Sequence, residues 1–369
     1  MPTPICQMLG IEYPIFAFSH CRDVVAAVSR VGGFGVLGAT TYEPEDLEME
    51  LSWLDENCGG RPYGLDLLFP AKSEGNDVAA LAAGIPQGHR DFEASVEGQL
   101  GIPSRKNPGT RSAIGGMPKN IDHLPTNARA RAQWDVAREH PFRLLASALG
   151  PAPSDVIRAA HGSGALVAGL VGEPRHAAIQ LEVGADILIA QGYEAAGHTG
   201  DVGTFVLVPQ IVDMAGANPV LAAGGVAEGR QVAAALALGA QGVWTGSLWL
   251  TTAESDLDPI VKRRLIEATS GDTFKTRYLT GKPTRHLLTP FIEAWEEDGS
   301  PEPLPSPLQQ ILVRDALVSA GEHGIESAMG TAAGQVIGLI KAERSAESVV
   351  FELATGMAQT FEEVSALFA

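Results

Sequence analysis

Eight short apolar runs, separated by loops and helical stretches, constrain what this chain can fold into more than any other feature. They are Pro14–Phe18, Gly33–Gly38, Tyr63–Phe69, Arg143–Leu149, Ala165–Leu170, Asp186–Ala190, Pro219–Ala223 and Gln241–Leu248. Most are continuous rather than alternating, the pattern of strands covered by helices on both faces. Between them lie helical stretches such as Arg22–Val31, Glu173–Val183 and Gly229–Leu238. The first carries Val24, Val25, Ala27, Val28 and Val31 at helical spacing. Eight strand–helix units predict an α/β chain closed into a (β/α)8 barrel. An open doubly wound sheet would carry G-x-G-x-x-G after its first strand. Here Gly32–Gly33 and Gly35 precede or lie within a strand, so that fingerprint is absent.

Two regions interrupt the repeat. Residues 71–141 separate the third and fourth strands and are rich in Gly, Pro, Asn and charge, too long for a plain loop. A long insertion after strand 3 is expected there, with a helix near Ala128–Glu139 and a mobile or lid-forming part. From about Ser255 the chain reads as helices broken by DGSPEPLPSPLQ, with a last amphipathic segment at Ala346–Leu367. The expected division is a barrel over 1–254, including the insertion, and a helical C-terminal extension over 255–369 packed on it.

Composition narrows the function classes. With 45% hydrophobic and 19% charged residues in 369, a sizeable core can be buried. Lys and Arg number 26 against 44 Asp and Glu, a net charge of −18 that repels phosphate backbones and anionic lipid. The basic clusters Arg105–Lys106, Arg129–Arg131 and Lys262–Arg264 are short and lack interleaved aromatics, so neither nucleic acid nor a membrane is an expected partner. Cys6, Cys21 and Cys58 are odd in number and form no CxxC, which disfavours a disulfide framework or structural zinc and fits a cytoplasmic location. The opening MPTPICQMLGIEYPI shows no secretory pattern, and no apolar stretch reaches the roughly 18 residues of a membrane span.

In a barrel, functional groups collect where strands end and loops begin. The sixth run leads into QGYEAAGHTG, which delivers Gln191 and then His198 on a small-residue loop. The Gln191 amide suits a planar heterocycle. His198 suits a general base, because imidazole titrates near neutrality; the alternative is a histidine that ties down a loop through a backbone carbonyl. After the seventh run come Gly224–Gly225, and after the eighth Gly246–Ser247. Tight turns use such glycines freely, yet paired turns on the last two strands also match the usual phosphate site of barrels. The first run ends in Phe18-Ser19-His20-Cys21-Arg22-Asp23. Ser19 suits a helix cap, and no orienting third group supports Cys21 as a nucleophile. Asp66 lies inside the apolar third run, where a carboxylate is costly unless paired. It reads either as a site residue or as a cap on backbone N–H groups. The histidines form no metal set, and HExxH, GxSxG, P-loop and kinase motifs are absent.

Together these segments resemble the nitronate monooxygenase family, formerly called 2-nitropropane dioxygenases, which are FMN-binding barrels. QGYEAAGHTG is similar to the family's QGxEAGGHxG, and VGGFGVLGA, VGADILIAQG and PVLAAGGVAEGRQVAAALALGAQGVWTGS also match. The resemblance runs from about Thr3 to Thr252, with 71–141 poorly matched. It implies FMN phosphate held at Gly224–Gly225 and Gly246–Ser247, Gln191 at the flavin ring, and flavin packing by the loop through Ala196 and Gly197. Phe18, Ser19 and Asp66 would complete the cofactor site. His198 matches the family's active-site histidine, which would take the α-proton of a nitroalkane or position a nitronate. The implied reaction oxidises alkyl nitronates with O2 to a carbonyl compound and nitrite; no metal is implied, and a homodimer is one option for assembly. Three departures stand out: Phe18-Ser19-His20-Cys21 replaces the family's Pro-Met strand motif, Asp66 replaces an Asn, and Ala196 replaces a Gly. The altered first strand and the long 71–141 insertion keep open an FMN-dependent NAD(P)H:quinone reductase, or an enoyl- or CoA-thioester oxidoreductase, on the same scaffold.

Overall fold

The computed structural model describes residues 3–70, 78–104 and 126–368. Eight parallel strands close into a barrel in sequential order: β1 (Ile15–Ser19), β2 (Phe34–Gly38), β3 (Gly64–Asp66), β4 (Leu144–Ser147), β5 (Leu166–Val171), β6 (Ile187–Gln191), β7 (Val220–Ala223) and β8 (Gly242–Thr245). Each of the eight apolar runs supplies one strand, and β8 closes on β1 through pairs such as Phe16–Trp244. The continuous apolar character has the expected cause: alternate residues face the barrel interior and the helical ring. Phe16, Phe34, Val36, Leu144, Ile187, Ile189, Leu221 and Trp244 fill the interior, while Ile15, Ala17, Leu188, Ala190, Val220 and Val243 pack outward.

The helices are α1 (Pro4–Leu9), α2 (Arg22–Arg30), α3 (Pro44–Asn57), α4 (Val78–Ala83), α5 (Gln87–Leu100), α6 (Asn127–Ala137), α7 (Ser154–Gly162), α8 (Pro174–Val183), α9 (Thr204–Ala215), α10 (Gly229–Ala237), α11 (Pro259–Glu267), α12 (Pro290–Glu296), α13 (Leu308–Glu322) and α14 (Ala346–Ala366). Ile5, Cys6 and Leu9 of α1 join the interior cluster and stopper the end of the barrel away from the loops that follow the strands. Cys6, Cys21 and Cys58 are all free and buried. Among the described residues no helix is long and apolar enough to cross a membrane.

The C-terminal part departs from a purely helical extension in two ways. It contains an antiparallel hairpin, β9 (Thr273–Thr276) and β10 (Thr284–Leu287). And α14 packs on α10 and α2, burying Val349, Val350, Leu353 and Met357 in the cluster shared by the ring and the outer faces of β1, β6, β7 and β8. α14 therefore stands as the eighth helix of the ring, and residues 246–345 intervene between β8 and that helix. The close approach of α14 to α10 needs glycine at 229, since a Cβ there would overlap the backbone of Gly356 and Met357.

The insertion packs with the C-terminal part in a second apolar layer. Ile85, Val96 and Ile102 pack with Leu279, Phe291, Trp295, Ile311 and Val313, so 78–104 joins α12 and α13 in a separate apolar cluster. Phe92 stacks edge-on against Trp295 at 4.8 Å. The helix expected near Ala128–Glu139 is α6. Arg105–Lys106 and the stretch through residue 125 lie outside the described residues.

Candidate active site

At the C-terminal ends of the strands the barrel opens into a cavity of about 750 Å³. The residues expected at a cofactor and catalytic site line it: Phe18 and Ser19 from β1, Asp66 from β3, Gln191 from β6, Ala196, Gly197 and His198 from the following loop, Gly224 and Gly225 after β7, Gly246 and Ser247 after β8. Register explains the convergence, because Gly38 pairs with Asp66 and Gln191 with Ala223, the last residues of their strands. Phe18 stacks on Trp244 with centroids 6.0 Å apart, and that pair joins the packed interior to the cavity floor.

His198 is held by the hairpin. Its Nδ1 lies 3.2 Å from the Pro283 carbonyl, and the preceding Gly197 exchanges both backbone hydrogen bonds with Arg285, at 3.0 and 2.8 Å. A carbonyl only accepts, so the neutral ring carries its proton on Nδ1 and keeps a lone pair on Nε2. Burial lowers the His198 pKa, opposed by the Pro283 hydrogen bond and assisted by Lys282, which favours that neutral form. Both readings of His198 thus describe one side chain: one nitrogen ties down the loop and the other remains basic. Arg285 is itself buried; its Nε donates to the Tyr193 carbonyl and its guanidinium lies 4.4 Å from the Tyr193 ring. That stacking clamps the start of the loop. Gln191 Nε2 donates to the Ala196 carbonyl at a long 3.4 Å.

The β7 and β8 turns are built from backbone. Gly224 (φ 88°) and Gly225 (φ 74°) both occupy the left-handed region, and a Cβ on Gly224 would lie 2.9 Å from the Ala195 nitrogen. Ser247 begins a short 3-10 turn, and its Oγ accepts from the Gly334 N–H at 2.8 Å, which leaves its own proton to donate. Opposite, after β4, Leu149 holds a left-handed φ of 58° at the cavity wall, a strained conformation for a residue with a Cβ.

The β1–β3 side is polar. His20 Nδ1 bonds the Gly38 carbonyl at 2.8 Å, and burial lowers its pKa against the opposing pull of that carbonyl and of Asp256. Burial raises the Cys21 pKa, and its Sγ donates to the Glu254 carbonyl at 3.2 Å, so the thiol stays protonated and inert. The Ser19 hydroxyl accepts from the Cys21 N–H at 3.1 Å and stabilises the turn into α2. Asp66 is 5% exposed, and burial alone pushes its carboxyl up to about 7. Among the described residues no N–H or O–H donates to that carboxyl, so the cap reading does not hold.

Sequence reasoning missed the contribution of the C-terminal part. Lys282 and Pro283 from the hairpin, and Thr331, Ala332 and Gly334 before α14, also line the cavity. The turn residues Thr280-Gly281-Lys282-Pro283 between two short strands were the available signal. Arg131 and Arg263, from two of the basic clusters, pair with Asp155 and Glu326 on the surface.

Known proteins match the chain over most of its length. The family model described as nitronate monooxygenase matches residues 3–356. A Mycobacterium tuberculosis protein provisionally named a monooxygenase is 46% identical over 381 residues, covering 100% of this chain and 99% of that one. A Staphylococcus haemolyticus protein named a probable nitronate monooxygenase is 28% identical, covering 87% of each. Among solved structures, nitroalkane oxidase from Streptomyces ansochromogenes superimposes with a TM-score of 0.79 at 26% identity, covering 98% of this chain and 99% of that one. FabK from Thermotoga maritima gives 0.73 at 26% identity, covering 100% and 99%. The chain is an oxidoreductase that belongs to the nitronate monooxygenase family.

Proposed function

We propose that the chain binds FMN in the cavity and oxidises alkyl nitronates with O2 to carbonyl compounds and nitrite. The observation that carries this reading is His198: a neutral imidazole with a basic Nε2, on the same cavity wall as two glycine turns suited to a phosphate.

The residues present fit FMN. A Cβ would fill the turn at Gly224, and the neighbouring turn offers the Ser247 hydroxyl, so backbone and one O–H would hold the phosphate without a basic side chain. Gln191, Ala196 and Gly197 would face the ring system from β6, with Phe18, Ser19 and Asp66 from the opposite side. When bound, FMN would supply the electron-accepting and oxygen-reacting centre.

The chain's own residues do the rest. His198 Nε2 takes the α-proton of a neutral nitroalkane, and the electron pair left behind delocalises onto the nitro group, giving the nitronate. The Nδ1 bond to Pro283 fixes the ring and disperses the positive charge it acquires. With a preformed nitronate no proton is taken, and His198 positions the anion. Lys282 is the single Lys or Arg among the described lining residues, and it assists with the anion's charge.

The test is direct. Purified protein should be yellow, release FMN on denaturation, and produce nitrite from propyl nitronate well above free flavin. Bound FMN without nitrite release would overturn the nitronate reading. Anaerobic bleaching of the flavin by NAD(P)H would then favour a quinone or enoyl-thioester reductase.

A further inference from the structure

The β1–β3 wall of the cavity contains a carboxyl group whose protonation the mechanism above does not use. Asp66 ends β3 between Gly38 of β2 and Ala146 of β4, neither of which offers its side chain a polar group. The titratable groups on the surrounding elements are His20 and Cys21 after β1, Tyr42 after β2 and Asp256 after β8. His198, His176 and Lys282 belong to other parts of the rim. None of them donates to Asp66 or forms an ion pair with it. The carboxyl is nearly inaccessible, lines the cavity, and has no charge-stabilising partner among the described residues.

We propose that Asp66 takes up a proton from solvent when FMN binds, so that the flavin is held by the carboxylic acid form and released more readily at alkaline pH. The proposal rests on the FMN reading above. Two effects drive it. Flavin in the cavity displaces the water that solvates the carboxylate. The flavin phosphate also adds negative charge to a cavity whose single Lys or Arg among the described residues is Lys282. Both disfavour the ionised form in the complex. The neutral acid can also donate, which suits the ring carbonyls and ring nitrogens of an isoalloxazine better than an acceptor-only carboxylate. The free carboxyl already titrates at about 7, so the uptake falls within the range where protein and cofactor are both stable. The step is a protonation only; no redox partner is needed.

The test uses the full-length protein loaded with FMN and diluted in steps between pH 5.5 and 8.5, with free flavin read by its fluorescence. The phosphate's own ionisation, near about pH 6, affects wild type and Asp66→Asn alike. The ratio of their dissociation constants therefore isolates Asp66. That ratio should rise above pH 7, approaching tenfold per pH unit. A flat ratio, or one that falls, overturns the proposal. A second measurement needs no variant: at pH 8 the phosphate is already a dianion, so adding FMN to flavin-depleted wild type in weak buffer should consume close to one proton per site. No uptake, with flavin bound, overturns the proposal while leaving the cofactor reading intact. Failure of FMN to bind at any pH overturns both.

Discussion

His198 and Asp66 respond to the same cavity in opposite directions, and each yields a test. Burial lowers the imidazole, so the basic form persists to a lower pH than in a free histidine. For a neutral nitroalkane, kcat/KM should therefore fall only below the ordinary histidine value of about 6.5; an acid limb at or above that value would remove His198 as the base. His198→Asn should cost roughly 10²–10⁴ in kcat/KM with the nitroalkane and far less with preformed nitronate. Equal losses on both substrates would reduce His198 to a positioning role. Asp66 bears on stability. Its carboxyl is raised from an ordinary value near 3.8 to about 7, so the flavin-free folded state holds more protons than the unfolded state between those limits. Stability from this group is then intact below about 3.8, declines as pH rises toward 7, and levels off above. Asp66→Asn should gain up to roughly 4 kcal/mol on wild type at pH 8 and almost nothing at pH 4, read from denaturant midpoints; a pH-independent difference would contradict the burial argument. Both residues were visible in the sequence as anomalies, a histidine among glycines and a carboxylate in an apolar run. That no described residue partners Asp66 was not visible, because it depends on what β2, β4 and the β8 loop place beside it.

At the scale of elements, what could be read followed from periodicity, and what could not followed from pairing at long range. The strands were legible because burial on both faces leaves a continuous apolar run. The β9–β10 hairpin was not, since four-residue strands seven residues apart leave almost no pattern, yet it supplies Pro283 and Arg285, which hold the His198 loop. The last helix was legible as amphipathic, but its place in the ring was not, because amphipathicity marks a buried face without naming what covers it. Gly229 and Gly356 are where that placement can be tested. A methyl group on Gly229 would overlap the Gly356 backbone, so Gly229→Ala should separate α10 from α14. Overpacking of this kind costs about 1–3 kcal/mol. The loss should appear in the denaturant midpoint, against a small gain of helix propensity if the two helices were not in contact. An unchanged or raised midpoint would remove α14 from the ring.

Across the whole molecule the barrel and the second apolar layer meet a surface of one dominant sign. The net charge is −18, and the cavity lining brings Asp66, Glu194 and Asp256 together with Lys282 as its one strongly basic side chain among the described residues. The Glu194 carboxylate is already engaged, accepting from the Thr204 N–H and hydroxyl at 2.9 and 2.8 Å. A nitronate is an anion, so its approach is opposed by the field of the protein, whereas a neutral nitroalkane feels none of it. Salt weakens such a field over about 10 Å at 0.1 M. Raising ionic strength from about 0.01 to 0.3 M should therefore increase kcat/KM for propyl nitronate by roughly two- to fivefold and leave the parent nitroalkane unchanged. Lys282→Gln should deepen the salt effect, because a local attraction in the cavity lining is gone while the global repulsion remains. A decrease with salt on the wild type would mean that Lys282 and the half-buried histidines outweigh the net charge at the point of entry. The cavity would then be a local anion trap set in an acidic surface.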